Sequence, residues 1–169
     1  MLVITGSMGA GKSAVLAEAS DILAQNNIAH AAIDLDALAL AHLPSAASND
    51  EVMYINLQSI CKNYASLGVR RLLLARAMED RKEFEMCCGI VSATNTIVCR
   101  LTANIETMQQ RVKKRESGML QQNFVDRVMK LNAILDRARL EDFIVANENR
   151  SLTEVAHEML VKAGWTAAS

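Results

Sequence analysis

Proline is all but missing from this chain, with Pro44 the single one. No proline-rich or low-complexity stretch occurs, so nothing reads as a linker between domains. Aromatic residues make up 4% of the sequence, and 18 basic side chains stand against 19 acidic ones for a formal net charge of −1. A chain this neutral and this poor in rings lacks the basic and stacking surfaces that hold nucleic acid, and it offers no basic face to a membrane. No apolar run approaches the roughly 18–20 residues that span a bilayer. The opening MLVITG has no charged leader, and a cytoplasmic location is expected. The cysteines are Cys61, Cys87, Cys88 and Cys99. They have no metal-ligand spacing and no histidine near them in sequence, so reduced, partly buried thiols are expected. His30, His42 and His157 are scattered, and none suggests a base.

What is present is a globular composition, with 51% hydrophobic residues in a chain of 169. That is enough to bury the core of one domain, residues 1–169. Short apolar runs alternate with helical patterns, the signature of a parallel sheet wrapped by helices. Strands are expected at 1–5, 28–33, 69–75, 96–102 and 142–146. Helices are expected from Lys12 to about Gln25, over LDALALAHL, from about Asp50 to Leu67, over AMEDRKEFEMCC, over NIETMQQRVKKRES and from about Gln121 to Arg139. In the 50–67 helix Met53, Leu57, Ile60 and Tyr64 share one face. Gly68 suits its end, and Gly118 breaks the basic helix. A last helix starts at Ser151, where SLTE forms a capping box, and ends near Gly164. Trp165 reads as its packing anchor.

The sharpest motif is GSMGAGKS at residues 6–13. It fits G-x-x-x-x-G-K-[ST] through Gly6, Gly11, Lys12 and Ser13, and it stands between a strand and a helix as the mechanism requires. Glycines let backbone N–H groups approach phosphate oxygens, and the helix N-terminus adds partial positive charge. The cradle therefore comprises Gly6, Ser7, Met8, Gly9, Ala10, Gly11, Lys12 and Ser13. Lys12 is expected to reach the β- and γ-phosphates of ATP, and the Ser13 hydroxyl to hold Mg²⁺.

The strand at 28–33 runs into IDLDAL, which puts Asp34 and Asp36 at the carboxyl edge where ligands bind in open α/β sheets. One carboxylate could serve Mg²⁺ and the other an attacking hydroxyl. Alternatively, Asp34 only ends the strand and Asp36 only charges a helix start. The phosphate loop followed by D-x-D resembles the small P-loop kinases, the group of shikimate, adenylylsulfate and gluconate kinases and chloramphenicol phosphotransferases. The resemblance implies a three-layer α/β fold, with a five-stranded parallel sheet in the order 2-3-1-4-5 and a small helical lid. It also implies that Asp34 serves the metal and Asp36 the acceptor. The chain departs from wider P-loop practice after 69–75, where Arg76 stands in place of a Walker B acid. That makes Asp34 the better metal candidate. No arginine follows the D-x-D, which argues against adenylylsulfate as substrate.

Residues 35–67 would then form the acceptor wall, with Asn56, Ser59 and Asn63 on one polar stripe and Tyr54 nearby. The stretch at about 111–122 would form the lid, with Arg111 binding nucleotide phosphate and Arg115 acting in catalysis. A solvated basic helix is the competing reading. Asn147, after the last strand, is the candidate base contact. The function expected is ATP-dependent phosphorylation of a small-molecule hydroxyl by a monomer or homodimer, with Lys12, Asp36 and Arg115 catalytic. The alternative is a nucleotide-binding switch that transfers no phosphate.

Overall fold

The computed structural model describes residues 1–40 and 48–167. The end of the expected 35–43 helix and most of the PSAASND loop lie outside the described residues. The strands are β1 Leu2–Thr5, β2 Ala31–Asp34, β3 Leu72–Ala75, β4 Ile97–Thr102 and β5 Phe143–Ala146. The helices are α1 Lys12–Gln25, α2 Asn49–Ser66, α3 Arg81–Val91, α4 Ile105–Arg115, α5 Gln121–Ala138 and α6 Leu152–Lys162.

The strands form one five-stranded sheet in the order β2-β3-β1-β4-β5, and every pairing is parallel. β1 lies at the centre and is buried on both faces, which is why it reads as an unbroken apolar run. Alternation along the strands splits the core in two. Leu2, Ile4, Leu73, Ala75 and Cys99 face α1 and α6. Val3, Ile33, Leu74 and Val98 face Met53 and Leu57 of α2 and Cys87 of α3. The sheet is thus the middle of three layers. Trp165 packs on the first of these cores, with Arg71 over its ring.

Where the element bounds depart from expectation, helix ends explain it. Residues 28–30 were expected in β2, but Ile28 N–H donates to Leu23 O and Asn27 N–H to Ala24 O. Asn27 has φ 54, so this is a Schellman cap that takes up three residues before β2 begins. The same motif closes α2. Gly68 N–H bonds Ala65 O and Val69 N–H bonds Tyr64 O, which delays β3 from Val69 to Leu72. The helix expected from Ala77 starts at Arg81, because the Asp80 carboxylate accepts from Glu83 N–H and caps it there. Before it, Met78 is buried and its N–H donates to Thr5 Oγ1. Leu35–Ala39 is a single 3-10 turn rather than a longer helix. The capping box at Ser151 and Glu154 is present, and α2 has a second one at Ser48 and Glu51.

The strand registers align the carboxyl ends. Asp34 lies opposite Ala75, Thr5 opposite Arg100, and Thr102 opposite Ala146. The phosphate loop, the D-x-D, Arg76, α4 and Asn147 therefore all emerge at one edge of the sheet.

Candidate active site

Gly11 caps α1 with φ 97 and has no side chain to occupy the first helical N–H groups. A Cβ there would overlap Asn147 Nδ2, and a Cβ on Gly9, at φ 78, would overlap Met108 O in α4. The loop is walled in so closely that only glycine fits at these two positions. Bare amide donors at a helix N-terminus, with no side chain intruding, suit the phosphates of a nucleotide.

Lys12 folds along the loop, and its Nζ donates to Gly6 O at 3.1 Å and Ser7 O at 3.3 Å. Burial lowers its pKa, against the opposing pull of Asp36 and Asp34. Ser13 Oγ donates to Asp34 Oδ2 at 2.5 Å, and Asp34 Oδ1 accepts from Asp36 N–H at 3.1 Å. A hydroxyl and a carboxylate side by side are hard oxygen donors of the kind Mg²⁺ takes. Among the described residues no group of three or more His, Cys, Asp or Glu could hold a metal. A pair of protein ligands completed by phosphate and water is the usual Mg²⁺ arrangement.

Asp36 turns the other way from Asp34. Its side chain is 64% exposed and lines a pocket of about 290 Å³ with Met8, Lys12, Ser13, Arg111 and Arg115. Eight expected site residues (Met8, Gly9, Gly11, Lys12, Ser13, Asp36, Arg111 and Arg115) thus come together around one space. Arg111 also holds its surroundings, with Nη1 donating to Gly9 O at 3.2 Å and Nη2 to Asn147 O at 2.9 Å. Arg115 is 59% exposed and pairs with Glu116 at 2.8 Å. Residues 116–120 separate α4 from α5. The Gln121 side chain donates to Lys113 O and Glu116 O across that break.

Ser7 of the cradle and Asn147 do not line the pocket. Ser7 is buried, and its Oγ donates to Val128 O of α5 at 2.9 Å. Asn147 is 4% exposed; its Nδ2 donates to Ala10 O at 2.8 Å and its N–H to Thr102 O at 2.8 Å. The polar stripe on α2 does not line this pocket either. Asn56 Nδ2 donates to Leu38 O, and Ser59 Oγ to Ile55 O within its own helix.

The partners of Arg76 are invisible to motif reading. Its Nε bonds Glu83 at 2.5 Å, Nη1 bonds Asp36 at 3.2 Å and Nη2 bonds Asp50 at 3.0 Å. Burial pulls its pKa down, but the bond to Glu83 and the three carboxylates outweigh burial and raise it. The sequence offers one clue, a charged residue directly after a buried strand.

This sheet order, with a phosphate loop after its central strand, defines the three-layer fold of the small P-loop kinases. Several solved structures share it across nearly the whole chain. A gluconokinase from Sinorhizobium meliloti matches with TM-score 0.62 and 17% identity over 96% of this chain and 90% of its own. Shikimate kinase from Acinetobacter baumannii, solved with shikimate, gives 0.64 and 16% over 99% and 94%. A tunicamycin resistance protein from Deinococcus radiodurans gives 0.68 and 12% over 99% and 98%. No protein-family model matches the sequence, and no curated protein matches it. At such identities the likeness is one of fold.

Proposed function

We propose that this chain is an ATP-dependent kinase that transfers the γ-phosphate to a hydroxyl of a small molecule. The observation that carries the reading is the convergence of Lys12, Ser13, Asp36, Arg111 and Arg115 on one pocket at the phosphate loop. ATP supplies the phosphoryl group when bound, and Mg²⁺ screens its charge. Ser13 and Asp34 would hold the metal. The loop amides and Lys12 bind and orient the phosphates, and Arg111 and Arg115 offset the negative charge at the transferring group. Asp36 faces the same space and is placed to accept a hydrogen bond from the acceptor hydroxyl, fixing its direction of approach. Residues 35–67 form the acceptor wall, and the break at 116–120 is where a lid closes. Asn147 acts as a strut beneath the loop through Ala10 rather than as the base contact.

The test is a screen of hydroxylated acceptors with ATP labelled at the γ-phosphate. Labelled product with the native chain, and about 10²–10³-fold less with Lys12→Ala, is the expected result. Nucleotide binding without transfer to any acceptor would leave a nucleotide-binding switch. Loss of neither binding nor transfer in Lys12→Ala would sink the site altogether.

A further inference from the structure

Residues 35–67 contain Asp36, Asp50 and Glu51, no arginine, and one lysine, the exposed Lys62. The cation that meets Asp36 and Asp50 directly follows β3 instead. Arg76 is 15% exposed, and each of its three guanidinium nitrogens faces a carboxylate, Glu83, Asp36 and Asp50. Glu83 is fixed in turn, because its other oxygen accepts from Glu79 N–H at 2.9 Å. Beside Arg76 a groove of about 390 Å³ opens between the first turn of α2 and α3. Five carboxylates line it (Asp50, Glu51, Glu79, Asp80 and Glu83), against Arg76 and the exposed Lys82. Glu79 is paired with Arg127 of α5.

This arrangement settles what Arg76 can do. Three of the five N–H donors of Arg76 are taken by carboxylates, and Glu51, Glu79 and Asp80 line the groove besides, so its positive charge is more than offset. An anionic acceptor would bring its own charge beside these carboxylates. What the fork does instead is tie Asp36 to α2 and α3. We propose that Arg76 is a positioning residue that holds Asp36 at the pocket, and that the acceptor is a hydroxylated molecule without an anionic group. This rests on the kinase reading above.

The experiment uses the full chain with ATP and matched acceptor pairs, each a polyol or amino sugar beside its sugar-acid counterpart. The non-anionic member is expected to have the higher kcat/KM by about tenfold or more, since like charges placed side by side disfavour the anionic one. Preference for the anionic member, or none at all, overturns the acceptor class while leaving the kinase reading intact. Transfer to no acceptor overturns both. Arg76→Gln is expected to lower kcat about 10²-fold, the cost of a misplaced catalytic group, with ATP affinity kept within about twofold. In an Asp36→Asn background the same change should add less than about threefold, because the two act as a unit. Fully multiplicative losses overturn the positioning role. If Arg76→Gln does not fold, Asp50→Asn loosens only the exposed arm of the fork. It should lower kcat roughly twofold to fivefold, the worth of an exposed ion pair, and an unchanged kcat overturns the proposal.

Discussion

The glycine-loop half and the Asp36 half of the pocket are held in opposite ways. The loop half is eight consecutive residues whose contacts are mostly main-chain. Lys12 bonds carbonyls of its own loop, and Asn147 and Arg111 bond the carbonyls of Ala10 and Gly9. Glycine at 9 and 11 lets Met108 and Asn147 come close. The Asp36 half is held by charged side chains, with Arg76 joined to residues 40, 26 and 7 positions away. A main-chain cradle tolerates change at its variable positions as long as the backbone path is kept. A side-chain fork weakens as its partners are lost, least at the exposed Asp50 and most at Glu83, which is as buried as Arg76 itself.

The largest expected effect comes from removing the one charged side chain inside the cradle. Lys12→Ala should cut transfer by about 10²–10³-fold, the cost of losing a preorganised charge donor. Measured turnover within tenfold of the native value would erase the distinction drawn for that half. Next comes a comparison of the two carboxylates. Asp36→Asn should lower kcat by about 10²-fold at unchanged ATP affinity, whereas Asp34→Asn should instead raise the Mg²⁺ concentration needed for half-maximal rate. If the two variants behave alike across a metal titration, Asp34 and Asp36 do not have separate roles.

Smaller again is the strut. Asn147→Ala leaves Ala10 O without its buried donor and should cost about 1–3 kcal/mol of stability, read from chemical denaturation. An unaffected midpoint would mean that the loop does not depend on it. The smallest effect is one of pH. Burial lowers the Lys12 pKa below 10.5, so in the alkaline window beneath that value the unfolded chain binds more protons than the folded one. Stability from this group therefore rises as pH rises through the window. Thermal unfolding of native chain and Lys12→Met from about pH 8 to 10 should show the native chain gaining on the variant. A native chain that loses ground instead would contradict burial of a charged Lys12.

Much of the architecture was legible because it depends on local pattern. The helix from Lys12 to Gln25 was read with both ends correct, as were the capping box at Ser151 and the Gly68 stop. The two stretches that differ, Ile28–His30 and Val69–Arg71, each begin with a β-branched residue and run on into a strand, but the N–H of that first residue closes a helix cap instead. The start of α3 was legible in principle. Asp80 three residues before Glu83 is a capping signal, but the helix-forming run Ala77–Met78–Glu79 outweighed it.

Sequence alone determined the G-x-x-x-x-G-K-S loop and its place between a strand and a helix, because that loop is the backbone path of one short segment and glycine writes that path directly into the sequence. It also placed Asp34 and Asp36 at the carboxyl edge, since a strand end is a local property. Only the tertiary structure decided that Asp34 meets Ser13 while Asp36 meets Arg76, that Ser7 and Asn147 turn from the pocket, and that Arg76 pairs with three carboxylates. Those outcomes depend on which side chains the sheet order brings within hydrogen-bond reach, and no local pattern encodes a partner 40 residues away.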